Sequence, residues 1–247
     1  MLNYYIMLID KTSLRIASFD IGSRNFAFYI EEIDIKQLLG IKNIQKGQRY
    51  NLNGTPTPDF NDILDKVYSN GKKILLQNVD LTKGADKTKY FDFELCYNMV
   101  DTLNKYSDYW DSVDFIIVEQ QMSFGKKINT MALKLAQHCE SYFINKYGRC
   151  DKKIIEFPAY HKTQILGSEK IIKVTKTGKT SYKNIDSRER KKWAIEQALL
   201  VLSSRGDIET IDIIEKSKKK DDLSDVIIQL QAFKYLYFVD SDCGNDI

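Results

Sequence analysis

Residues 14–33 read LRIASFDIGSRNFAFYIEEI, and the fold turns on them. Residues 14–20 (LRIASFD) are mostly apolar or small and close on Asp20, the composition of a buried strand. Gly22-Ser23-Arg24-Asn25 is a turn signal, because Gly, Ser and Asn all favour chain reversal. Residues 26–33 (FAFYIEEI) return to aromatic and β-branched side chains, so the two runs are expected to pair as a hairpin. Asp20 thus stands at a strand end, just ahead of the turn.

Downstream, residues 34–72 are less regular and contain Gly54-Thr55-Pro56-Thr57-Pro58, a loop signal, so an insertion between strands is expected there. Residues 73–81 (KILLQNVDL) form a third strand candidate. From about residue 91 to 110 the apolar spacing becomes helical, with Leu95, Met99, Val100 and Leu103 on one side. Residues 114–119 (DFIIVE) make a short apolar run that ends in Glu119. Residues 130–147 follow 3–4 spacing through Ala132, Leu135, Ala136, Cys139, Tyr142 and Phe143. Residues 153–157 (KIIEF) read as a fifth strand, stopped by Pro158.

Residues 167–187 read as a basic, polar loop and a second insertion. Asp186-x-x-Glu189 resembles a capping box for a helix running to about Leu202. Residues 203–220 read as a charged connection, and 222–239 as a final, mostly buried helix. The expected class is α/β, a mixed five-stranded sheet flanked by helices with an opening meander. No Pro/Gly/Ser-rich linker interrupts the 247 residues, so a single domain spanning 1–247 is expected.

A hydrophobic content of 43% and a charged content of 29% suit a globular chain rather than a disordered one. Net charge is +3, so the total does not mark a polyanion binder, although local clusters count for more than the total. Cys96, Cys139, Cys150 and Cys243 include no C-x-x-C pair, which argues against a zinc site and a disulfide framework and fits a reducing compartment. His138 and His161 belong to no zinc motif and to no evident nucleophile triad. No basic leader and no membrane-length apolar stretch is seen, so an intracellular, soluble protein with no membrane association is expected. Abundant Lys, Asn, Ile and Tyr with only 3 Pro suggest an AT-rich genome.

Two carboxylates end apolar strands, Asp20 and Glu119. If these strands lie side by side and parallel, both side chains emerge at the carboxyl edge of the sheet, where open α/β sheets bind ligands. Asp222 and Asp225 stand at i, i+3 at the start of the last helix, on one face, with Cβ atoms about 5–6 Å apart. Singly, each acid has a structural explanation: a turn start, a solvated strand end, or a favourable helix N-terminus. Together, four converging carboxylates need a cation. Oxygen ligands without His or Cys select hard ions, Mg²⁺ with Mn²⁺ able to substitute. Two such ions about 3.5–4 Å apart clamp the attacking and leaving oxygens of an in-line phosphoryl displacement.

FDIGSRNFAF, IIVEQQ and KKDDLSDVIIQ resemble the three motifs of the RuvC-like Holliday junction resolvases, above all their poxvirus and fungal mitochondrial branches. Phe19-Asp20-Ile21-Gly22 matches the first motif, Val118-Glu119-Gln120-Gln121 the second, and Lys219-Lys220-Asp221-Asp222-Leu223-Ser224-Asp225 the third. The resemblance implies a ribonuclease-H-like fold and a Mg²⁺-dependent endonuclease of DNA recombination and repair. It also implies a homodimer that cuts two opposed strands of a four-way junction symmetrically. Asp20, Glu119, Asp222 and Asp225 would be both the catalytic residues and the metal ligands. Asp221 would cap the helix or assist from behind. A viral source would place the protein in host-cell cytoplasm.

DNA affinity comes mainly from Lys and Arg on phosphates. Lys126 and Lys127 follow Glu119 in a loop, and Arg24 follows Asp20, so these three are the rim candidates. Phe124 is a candidate for stacking on an opened base step. Two further clusters are a solvated face or a DNA surface: Lys170, Lys173, Lys176, Lys179 and Lys183, and Arg188, Arg190, Lys191 and Lys192. Three other functions stand beside the resolvase: a related nuclease for RNA–DNA hybrids or flaps, an actin-like ATPase, and a non-catalytic DNA-binding protein.

Overall fold

The computed structural model describes residues 11–121, 128–174 and 180–240. In chain order its strands and helices begin with β1 (Ser13–Asp20), β2 (Phe26–Asp34), α1 (Ile35–Leu39), α2 (Pro58–Ser69) and β3 (Lys72–Val79). There follow α3 (Glu94–Lys105), α4 (Ser107–Asp111), β4 (Phe115–Gln120), α5 (Thr130–Tyr147), β5 (Lys153–Pro158) and α6 (Tyr160–Ile165). The chain closes with β6 (Lys170–Val174), β7 (Thr180–Asn184), α7 (Ser187–Ser204), α8 (Ile208–Lys216) and α9 (Lys220–Lys234). Two compact units divide it, Met1–Ile33 with Lys72–Ala159 and Asp34–Gly71 with Tyr160–Ile247. Among the described residues no helix is long and apolar enough to cross a membrane.

The first unit is built on a five-stranded sheet in the order β3-β2-β1-β4-β5. β4 runs parallel to both β1 and β5, and β2 pairs antiparallel with β3 across an irregularity at Ile30/Glu31. The short connection from β1 to β2 permits only an antiparallel return. This mixed five-stranded sheet flanked by helices is the arrangement expected from the sequence.

One face carries Phe19 of β1, Phe26 and Phe28 of β2 and Val118 of β4, packed with Met99 of α3, Trp110 of α4 and Phe143 of α5. The Phe19 ring lies 5.4 Å from the rings of both Trp110 and Phe143, and Trp110 Nε1 donates to the Leu103 carbonyl at 2.7 Å. Each such side chain contributes about 1.5–3 kcal/mol by leaving water. The opposite face is buried too, at Ile16, Ser18, Ala27, Tyr29, Phe115 and Ile117. Burial on both faces is why these strands read as unbroken apolar runs rather than as alternating ones.

The second unit is mainly helical. α9 packs against α2, α6, α7 and α8. Its buried Lys234 is satisfied by the carbonyls of Val67 (2.8 Å) and Asn70 and by Gln231 Oε1 (2.7 Å). Arg49 grips Asp240 with two nitrogens at 2.8 and 2.9 Å, both side chains buried. The capping box at the start of α7 forms as expected: Asp186 accepts from the Glu189 amide and Glu189 accepts from the Asp186 amide.

Three stretches are more ordered than their sequences suggested. Residues 34–72 contain α1 and α2, the latter opened by Pro58 and burying Phe60, Ile63, Leu64, Val67 and Tyr68. The expected basic loop at 167–187 contains an antiparallel ribbon, β6 with β7. The charged connection at 203–220 contains α8, whose N-cap Asp207 accepts from the Thr210 amide. The last helix begins at Lys220 and passes into a π-turn at Tyr235–Val239.

Candidate metal centre

Asp20 closes β1, and Glu119 is the penultimate residue of β4. The two strands are parallel neighbours with Phe19 registered on Val118, so Asp20 and Glu119 are each one residue beyond that pair. Registered partners share a face and successive residues alternate. Phe19 and Val118 enter the aromatic core, so Asp20 and Glu119 stand together on the other face, about 4.8 Å apart at the backbone. Both are half-buried. The conditional placement at the carboxyl edge of the sheet is therefore met for this pair.

The turn behind Asp20 explains its glycine. A Cβ at Gly22 would meet the Asn25 carbonyl oxygen at 3.0 Å, so a side chain there requires the turn backbone to give way. The Leu81 amide donates to the Ser23 carbonyl at 2.8 Å and holds the turn from the far side. Arg24 is exposed on it, within electrostatic reach of Asp80. The Asp80 carboxyl is held below its usual range, first by the Thr82 hydroxyl and then by the Thr82 amide and Arg24. Lys126, Lys127 and Phe124 lie outside the described residues.

In the second unit Asp221, Asp222 and Asp225 share the first turns of α9. The N-cap is Lys219, with no side-chain cap bond, so Asp221 does not cap the helix as one expectation had it. Asp221 instead pairs with Lys191. Burial pushes its carboxyl up, but the Lys191 hydrogen bond and charge outweigh that and hold it low. Asp225 accepts at Oδ1 from Lys162 Nζ at 3.0 Å.

Asp222 differs from both. Its Oδ2 is buried and has no hydrogen-bond partner among the described residues. Its carboxyl is pushed up to about 6, by burial first and then by Asp221, with Lys219 and Lys191 opposing and Asp225 adding to the rise. A buried carboxylate oxygen without a partner costs about 1–3 kcal/mol or more. A hard cation is the partner that suits an oxygen-only donor set.

The structure brings Asp20 together with Glu119, and Asp222 together with Asp225. Among the described residues no group of three or more His, Cys, Asp or Glu side chains is gathered as metal ligands. Sequence reasoning missed Lys162 altogether. Its position shortly after β5 separates it in no way from the many surface lysines, and only the packing of α6 on α9 gives it a role. Lys191 was visible, but as one of a run of cations beginning α7.

No model of a known protein family matches the chain. It is 36% identical over 233 residues to the uncharacterized protein 170L of Invertebrate iridescent virus 6, covering 90% of this chain and 89% of that protein. It is 28% identical over 232 residues to the uncharacterized protein 97L of Invertebrate iridescent virus 3, covering 89% of this chain and 98% of that protein. Among solved structures it is similar to the fowlpox virus resolvase in complex with substrate Holliday junction DNA, 17% identical with a TM-score of 0.45, covering 90% of this chain and 97% of that one. It is likewise similar to Thermus thermophilus RuvC, 8% identical with a TM-score of 0.45, covering 89% and 95%.

Proposed function

We propose that this chain, which belongs to the family of protein 170L of Invertebrate iridescent virus 6, is a Holliday junction resolvase. In this reading it is a structure-selective DNA endonuclease that makes paired, symmetric cuts by two-metal-ion phosphodiester hydrolysis. The observation that carries the reading is the placement of Asp20 beside Glu119, on one face at the carboxyl ends of parallel strands. Two things support it: the matching motif order through Asp222 and Asp225, and the partnerless Oδ2 of Asp222.

Asp20, Glu119, Asp222 and Asp225 would hold the ions. Mg²⁺ or Mn²⁺, when bound, stabilises charge on the phosphate under attack and lowers the pKa of the attacking water. Lys162 holds Asp225 in place, and Lys191 draws Asp221 aside from the ligand set. Arg24, Lys126 and Lys127 contact backbone phosphates at the rim. The acids come from both compact units, so the reading requires the whole chain to act as a single nuclease domain. It acts as a homodimer on branched DNA.

The test is a nicking assay on synthetic four-way, three-way and linear duplexes with Mg²⁺, with Mn²⁺ and with chelator. Paired cuts confined to the four-way junction and dependent on metal are expected. Equal cutting of linear duplex, or preference for an RNA–DNA hybrid, points to a different nuclease. No cutting of any substrate ends the proposal.

A further inference from the structure

The β6–β7 ribbon is exposed along its whole described length, on both faces. A two-stranded ribbon with neither face covered is marginally stable by itself. Its root is nevertheless tied down. The Lys170 amide donates to the Asn53 carbonyl at 2.7 Å, and Asn53 Nδ2 donates to Glu169 Oε1 at 3.3 Å. The Lys170 stem lies against Gly54, whose φ is +84° and where a Cβ would meet that stem at 3.1–3.2 Å. The ribbon is thus anchored at one end and bare beyond it.

Register decides what each face offers. Ile171 pairs with Lys183 and Lys173 with Ser181, so Lys173 and Lys183 share a face as diagonal neighbours, about 7–8 Å apart. Ile172 pairs with Tyr182 on the other face, where they remain 55% and 41% exposed. Residues 170–185 (KIIKVTKTGKTSYKNI) contain no acidic residue. Nothing on the ribbon therefore neutralises its lysines, and a surface of this charge is complementary to a polyanion. The major groove of B-DNA, about 12 Å wide, admits a two-stranded ribbon with phosphates on either side.

We propose that the β6–β7 ribbon is an arm that lies along a groove of duplex DNA, with the face that carries Lys173 and Lys183 turned to the backbone phosphates. The proposal rests on the chain being a DNA enzyme and adds a contact surface that includes none of its candidate carboxylates. The arm adds affinity for duplex and takes no part in cleavage.

The experiment uses the full chain in chelator, so that nothing is cut. Affinity for a four-way junction and for a linear duplex is measured across a series of salt concentrations. Wild type is compared with Lys173→Ala/Lys183→Ala and with Lys173→Arg/Lys183→Arg, all checked for equal melting temperature. The alanine pair is expected to weaken binding at least about tenfold and to flatten the log–log salt slope by about 2, one unit per lost phosphate contact. The arginine pair is expected to keep the wild-type slope. Wild-type affinity and slope in the alanine pair overturn the arm and leave the resolvase reading standing. A change of oligomeric mass in the alanine pair without loss of DNA affinity makes the ribbon a protein interface and also overturns it. Wild type that binds no DNA at all defeats the resolvase reading itself, and the arm with it.

Discussion

Lys162 Nζ donates to Asp225 Oδ1 at 3.0 Å, with the lysine side chain 8% and the aspartate 27% exposed. Ammonium and carboxylate this close and this sheltered hold each other in place. Lys162→Met keeps the stem and removes the charge. In chelator the variant is expected to lose about 1.5–3 kcal/mol, the range of a hydrogen bond to a charged group. Added Mg²⁺ is expected to raise its melting temperature more than that of wild type, because the ion takes over the neutralisation of Asp225. Equal Mg²⁺-induced shifts in the two proteins would remove Asp225 from the ligand set.

Asp20 and Glu119 are neighbours on one face of parallel strands and touch no phosphate in the proposed reading. Asp20→Asn and Glu119→Gln are each expected to lower the cleavage rate at least about 10³-fold, roughly 4 kcal/mol of barrier. Junction affinity in chelator is expected to stay at the wild-type level. The double variant should be hardly slower than either single one, since ligands of one site act as a unit. Full cleavage by Asp20→Asn in Mg²⁺ would leave no metal chemistry at this edge.

In chelator Asp222 is held at a cost, because a buried oxygen has no hydrogen-bond partner among the described residues and two acids stand near it. Asp222→Asn is therefore expected to melt about 1–3 °C higher than wild type at neutral pH in chelator, while losing cleavage. Asp225→Asn is expected to do the opposite to stability, since it replaces the carboxylate that accepts from the buried Lys162 by a neutral amide. Differential scanning calorimetry of the two variants separates the cases. A lower melting temperature for Asp222→Asn would mean that its carboxylate has a structural partner instead.

The chain states some of this plainly and hides the rest for physical reasons. β1 and β4 are buried on both faces, so each prints a continuous apolar run in which a terminal Asp20 or Glu119 stands out. α5 keeps its period and ends where expected, at Tyr147. α2 carries the same period through Phe60, Ile63, Leu64 and Val67, but the Gly54–Pro58 turn signals beside it suggested a longer loop. α8 buries only Thr210 and Ile214, too little to raise its charged sequence above that of a connection. β6 and β7 bury nothing, so they lack the alternation by which a half-buried strand is recognised. Lys162 could not be singled out, since a lysine gains its role from what the fold sets against it.

Glu140, on α5, offers a test of electrostatics away from the candidate ligands. Its Oε1 is buried without a hydrogen-bond partner among the described residues. Its carboxyl is raised, by burial first and by the charge of Glu156 second. Glu156 is itself steadied by Gln120 Nε2 at 3.2 Å. An acid whose folded pKa lies above its unfolded one binds its proton more tightly in the native state. Stability then falls as pH rises from the ordinary carboxylate range through the raised value, and levels off above it. Glu140→Gln removes that loss. Partial solvent exposure keeps the effect small, so at neutral pH the variant is expected to melt about 1–2 °C above wild type. Below the carboxylate range, where wild-type Glu140 is protonated in both states, the two curves are expected to meet. Thermal melts of both proteins across this pH series check the sign. A gap that stays constant with pH, or one that favours wild type at neutrality, would show that Glu140 is ionised and satisfied in the folded protein.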